Sequence, residues 1–158
     1  MLEKIKDQYR HANMGSCCDQ KCKLLIDSRH VVLKGELLGD RSLKMCDCVV
    51  FLDSGQIILV EMKRKKISIG DVKEQFFNAG VKSLEIARDA GADYRISCLL
   101  PLTRTRTRNA MNNEMVAVSN LHISGKYHVI TRGRCGCRLE PLLKKCEAGS
   151  RLRHKRGR

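Results

Sequence analysis

Apolar positions along the chain change period several times, and each change marks an element. Cys46–Leu52 and Gln56–Lys63 are short runs rich in Val, Ile and Leu, the composition of strands buried on both faces. Leu24–Ile26 and Val31–Leu38 read as shorter strands, parted by Asp27–His30. From Ile69 the period lengthens. Ile69, Val72, Phe76, Ala79, Leu84 and Ala87 recur at helical spacing and predict a helix to about Ala90, with Ser68 at its start and Gly91 as its stop. Tyr94–Leu100 reads as a further buried strand, ending at Pro101. Leu2, Ile5, Tyr9 and Ala12 predict a helix within residues 1–13; Met115–Val118 and Lys126–Thr131 are weaker strands, and Pro141–Cys146 a short helix. Strand, helix and strand at this spacing imply a crossover with the two strands parallel. The pattern therefore predicts an α/β fold: a mixed central sheet with a β-hairpin, a crossover helix and a parallel strand. It fills one domain over residues 1–149, and residues 150–158 read as a basic, disordered tail.

Composition narrows the function classes. A hydrophobic share of 42% excludes a wholly disordered basic chain. No apolar run approaches the roughly 20 residues of a membrane span. The opening MLEKIKDQYR lacks the apolar stretch of a signal peptide, so a cytoplasmic location and no membrane partner are expected. The net charge is +14, and the five cations among the last eight residues account for less than half of it. An excess of this size attracts phosphates, so nucleic acid is the expected partner, with solubility alone as the plainer explanation. Only Tyr9, Tyr94, Tyr127, Phe51, Phe76 and Phe77 are aromatic, which argues against a base-stacking platform. Nine cysteines occur without any CxxC pair, leaving thiols, disulfides or a zinc site open. Cys98 reads as a small core residue, and Cys46 and Cys48 are expected on the face away from Asp47.

The hairpin register carries the chemistry. Asp53-Ser54-Gly55 is a three-residue loop with glycine at its left-handed position, which pairs Leu52 with Gln56. Asp47 then falls opposite Glu61, and alternation places Asp47, Val49 and Phe51 on one face with Ile57, Leu59, Glu61 and Lys63. Directly opposed β-carbons lie about 4.5–5.5 Å apart, where two carboxylates repel. A hard divalent cation resolves that conflict; a strand end neutralised by Lys63 is the alternative.

Asp47, a strand-turn-strand, then Glu61-Met62-Lys63, followed by a helix and a parallel strand, resembles the core of the PD-(D/E)xK nuclease superfamily over roughly Val31 to Pro101. Among its members the chain looks most like archaeal Holliday-junction-resolvase-type small nucleases, some of which carry a helix glutamine where Gln75 stands. Cys46 takes the place of the family's variable proline. The resemblance implies a restriction-endonuclease-like fold and a divalent-metal-dependent endonuclease acting on DNA rather than RNA, structured or branched DNA included. It implies Mg²⁺ or Mn²⁺ held by Asp47, Glu61 and the Met62 backbone carbonyl, with Lys63 and Gln75 completing the catalytic set. An upstream acid is sought in Glu36, taken to lie on a strand, or in Glu3, with Glu36 preferred. Arg64, Lys65, Lys66, Arg104, Arg106 and Arg108 are expected on neighbouring phosphates. Small members of the family pair to cut two strands, so a homodimer is a candidate assembly. The competing function is a non-catalytic nucleic-acid-binding protein on the same scaffold.

Overall fold

A computed structural model describes residues 1–19, 21–63, 69–104 and 120–156, with the backbone alone described at 63, 69 and 149–156. Helix α1 (Leu2–Gln8) and a 3-10 turn (Arg10–Ala12) lead into a small hairpin of β1 (Cys18–Asp19) and β2 (Cys22–Lys23). Strands β3 (His30–Lys34), β4 (Cys48–Leu52) and β5 (Gln56–Lys63) form an antiparallel meander. The long helix α2 (Ile69–Asp89) crosses to β6 (Arg95–Thr103), which pairs with β5 in parallel. Hairpin β7 (Asn120–Ile123) and β8 (Lys126–Val129) precede β9 (Gly133–Arg134) and helix α3 (Leu139–Arg156). Among the described residues the main sheet has the order β3-β4-β5-β6-β9, with its last pair also parallel. The fold is thus mixed α/β, as the pattern predicts.

Alternation divides the core into two layers. Val31, Leu33, Val49, Phe51, Ile57, Leu59 and Leu99 face α1 and α2, whose Ile5, Val72, Phe76, Ala79 and Ile86 meet them. Val32, Val50, Leu52, Ile58, Val60, Leu100 and Leu102 face Leu139, Leu142 and Cys146 of α3. Coverage on both sides explains why β4 is buried at every position. The interstrand turn takes the form its sequence demands, with Gly55 at φ +79°. Gly91, at φ +68°, ends α2 in the left-handed region.

Several boundaries differ from the sequence expectation. β3 stops at Lys34, and Gly35–Leu37 form a 3-10 turn instead of a strand continuation. Leu25 only bridges to Arg138, so Leu24–Ile26 is not a strand. β6 runs through Pro101 instead of ending there. The carbonyls of Leu99 and Thr103 accept bonds from Thr131 and Cys135 N–H, so Pro101, of the same parity, turns its missing donor toward this thin edge and not toward β5. α3 continues to Arg156, through the stretch expected to be without structure. Gly149 costs a helix only about 1 kcal/mol, too little to stop it. The expected strand Met115–Val118, the cap residue Ser68, and Arg64, Lys65, Lys66, Arg106 and Arg108 lie outside the described residues.

Four cysteines form two disulfides, Cys22–Cys135 and Cys98–Cys146, and Cys17, Cys18, Cys46, Cys48 and Cys137 are free thiols. Cys98 is therefore a cross-link between β6 and α3, beyond the small core residue expected of it. No helix among the described residues is long and apolar enough to cross a membrane.

Candidate metal and phosphate site at the sheet end

β4 and β5 pair with Cys48 against Val60, Val49 against Leu59, Val50 against Ile58 and Phe51 against Ile57. One further step of this register sets Asp47 opposite Glu61, as the loop geometry predicts. The two acids then replace the ladder bonds at that position. Glu61 Oε2 accepts the Asp47 N–H at 3.1 Å, and Asp47 Oδ2 accepts the Met62 N–H at 2.6 Å. This exchange explains why β4 begins at Cys48, two residues later than its apolar run. Glu61 is 2% exposed and Asp47 is partly buried, so both carboxylates are held by main-chain donors at the end of a closed core.

The strap that leads into Asp47 is fastened to α2. Lys44 Nζ pairs with Asp71 at 3.3 Å and Glu74 at 3.1 Å, Asn78 Nδ2 donates to the Lys44 carbonyl at 2.9 Å, and Gln75 Nε2 donates to the Met45 carbonyl at 3.4 Å. Residues 71, 74, 75 and 78 share one helical face, so consecutive turns of α2 grip two adjacent strap residues. The ion pairs are about half exposed, so water screens them and they position the strap more than they stabilise it. Gln75 thus reaches the site through the strap that positions Asp47, and its Oε1 is buried without a hydrogen-bond partner.

Gly35 fixes the other side of this strap. Its N–H donates to the Asp47 carbonyl at 3.0 Å, and a β-carbon there would lie 1.7 Å from the Cys46 carbonyl oxygen. The obstacle is backbone, which no rotamer change can move. Gly35→Ala is therefore expected to cost about 3 kcal/mol or more in urea unfolding. Unchanged stability would show that the 35–47 strap is free to shift.

Glu36 is placed differently from the expectation. It sits exposed on the 3-10 turn in an ion pair with Lys34, because β3 ends before reaching it. That pair raises the Lys34 pKa. Glu3 is paired with Arg29, beside the β3 residue His30 that faces Leu52, and so lies at the opposite end of the sheet. Among the described residues no group of three His, Cys, Asp or Glu side chains could hold a metal ion. Asp47 and Glu61 alone still suit Mg²⁺, which retains waters and takes one or two protein carboxylates together with substrate phosphates. Of Met62, the N–H meets Asp47, while its side chain is buried in the opposite layer. Lys63 ends β5 in register with Thr103.

Cys46 departs from the expected opposite face: it packs in the α2 layer, since regular alternation starts only at Cys48. Burial, then the nearby charge of Glu61, raises its pKa well above the usual thiol value. Sequence reasoning also missed Lys44 and Asn78, although polar residues at 71, 74, 75 and 78 are a visible helical stripe. Arg104, the one member of the expected phosphate set whose side chain is described, is exposed just past the end of β6. Comparison with family models, with curated proteins and with solved structures found no match to this chain.

Proposed function

We propose that the chain is a divalent-metal-dependent endonuclease that hydrolyses phosphodiester bonds in DNA, structured or branched DNA included, on a restriction-endonuclease-like core of the PD-(D/E)xK kind. The observation that carries the reading is the cross-strand pair of Asp47 and Glu61, side by side in a chain of net charge +14. Helix α2 and the parallel strand β6 follow in the order that such a core requires. Asp47 and Glu61, with the Met62 carbonyl, hold Mg²⁺ or Mn²⁺. An ion held there would supply a water of lowered pKa and offset negative charge at the phosphate. Lys63 orients that water or steadies the developing anion. Gln75 acts by holding Met45, and hence Asp47, in place. Arg64, Lys65, Lys66, Arg104, Arg106 and Arg108 take neighbouring phosphates, and a homodimer cuts both strands. The reading goes with a cytoplasmic location.

A second reading, non-catalytic nucleic-acid binding on the same scaffold, is favoured by the absence of a third acid grouped with the pair among the described residues. Calorimetric Mn²⁺ titration of wild type beside Asp47→Ala, followed by plasmid, single-stranded, flapped, four-way and RNA substrates, separates the two. Metal binding lost in the variant and cleavage of DNA support the nuclease. Equal binding in both proteins, or inertness on every substrate, would leave the binding module.

A further inference from the structure

One row across the sheet extends beyond the acid pair. The Asp47 N–H donates to Glu61 Oε2, and Glu61 pairs with Pro101. On the far side of β6, Leu99 bridges Ile130, Leu102 pairs with Gly133 and Thr103 with Arg134, a constant offset that sets Arg132 beside Pro101. Parity then decides the face. Ile130 packs in the α2 layer, whereas a β-carbon on Gly133 would meet Leu102 and Leu142 of the other layer. Arg132 therefore points to the side where Glu61 lies, by alternation from Leu59. Its Nη2 donates to Thr103 Oγ1 at 3.1 Å, which aims the guanidinium along the C-terminal end of the sheet. Two strand spacings separate Arg132 from Glu61, roughly 10 Å between α-carbons, which leaves room for adjacent phosphates along the row. Burial of the guanidinium lowers its pKa, the mark of a partly desolvated cation, and desolvation strengthens its pull on an anion.

We infer that Arg132, directed by Thr103, is a phosphate anchor in line with the acid pair, gripping the phosphate next to the one held at Asp47 and Glu61. The inference rests on the proposed nucleic-acid substrate of that site. In open α/β sheets, ligands bind outside the carboxyl ends of the parallel strands, and β5, β6 and β9 all present that end here. The row thus reads acid, acid, proline, arginine. The carboxylates call for a cation beneath one phosphate, and the guanidinium pairs with the next without needing any metal. A guanidinium also matches phosphate geometry bidentately, which a lysine cannot.

The test is anisotropy of labelled duplex and four-way DNA without metal, across a salt series, for wild type, Arg132→Ala, Arg132→Lys and Thr103→Val. Thermal melting of each protein reports folding. The expected result for Arg132→Ala is binding weakened about 5–10-fold and a log–log salt slope reduced by about 1, the signature of one lost phosphate contact. Arg132→Lys, which keeps the charge, should restore most of the slope and only part of the affinity. Thr103→Val should keep the slope but bind more weakly. An unchanged slope in folded Arg132→Ala would overturn the anchor, as would failure of wild type to bind DNA. The nuclease reading is judged separately, by Mn²⁺ binding and cleavage. A reduced slope beside absent cleavage keeps the anchor and removes the enzyme; an intact slope beside metal-dependent cleavage does the reverse.

Discussion

Asp47→Asn and Glu61→Gln are each expected to lower metal-dependent DNA cleavage by about 10³-fold or more, the loss of several kcal/mol of charge stabilisation. The amides are better tests than alanine. Each carboxylate accepts a main-chain N–H, from Met62 and from Asp47, and alanine would strand that donor at a cost of about 1–3 kcal/mol. An amide oxygen can still accept the bond, so the strap and β5 should keep their geometry while the charge disappears. Melting temperature supplies a readout independent of activity. A ligand at 100 times its dissociation constant stabilises by about 2.7 kcal/mol, which for a chain of this size is roughly 5–10 °C. Wild type should show that rise with Mn²⁺, and neither amide variant should. Lys63→Ala should keep the rise and lose the cleavage, because the role proposed for Lys63 lies with the water or the anion and not with holding the ion. A Mn²⁺-dependent rise that survives in both amide variants would place the metal elsewhere.

Reduction of the disulfides is the second large effect. Cys22–Cys135 closes a span of 113 residues and Cys98–Cys146 one of 48. Loop-closure entropy assigns about 5 and about 4 kcal/mol to spans of these lengths, with a combined effect below the sum because the loops overlap. Strong reductant should therefore lower the melting temperature by at least about 10 °C. Cys22→Ser/Cys135→Ser and Cys98→Ser/Cys146→Ser should each reproduce a part of that fall. Thiol titration in denaturant gives an independent count: five reactive thiols before reduction and nine after it. Nine thiols without reductant, or an unchanged melting temperature with it, would remove the cross-links from the account. The location of the bridges makes the effect large. Cys22 ties the β1–β2 hairpin to the segment just after β9, and Cys146 ties α3 to β6, so both close the layer opposite the carboxylates. Opening them exposes that layer while α2 keeps its own packing.

The alternation of Cys46–Leu52 and Gln56–Lys63, together with Gly55, was sufficient to determine the register, because a strand's period of two and a three-residue turn leave one pairing that buries both apolar sets. The helical stripe from Ile69 and its glycine stop determined α2, and a strand beyond it determined the parallel crossover. From these came the opposition of Asp47 and Glu61. Only the tertiary structure decided the rest. Glu36 lies off the strand because β3 ends where Gly35 must pass against the Cys46 carbonyl, a contact between segments that no local pattern encodes. Gln75 and Lys44 acquired roles only when α2 was laid across the strap. The disulfide pairing depends on which strands adjoin α3 and the β1–β2 hairpin, since nine cysteines permit many pairings and spacing favours none. Arg132 stood unnoticed among 31 cations, for the same reason: local sequence carries strand parity, whereas the row that lines it up with two acids far away exists only once the sheet has been assembled.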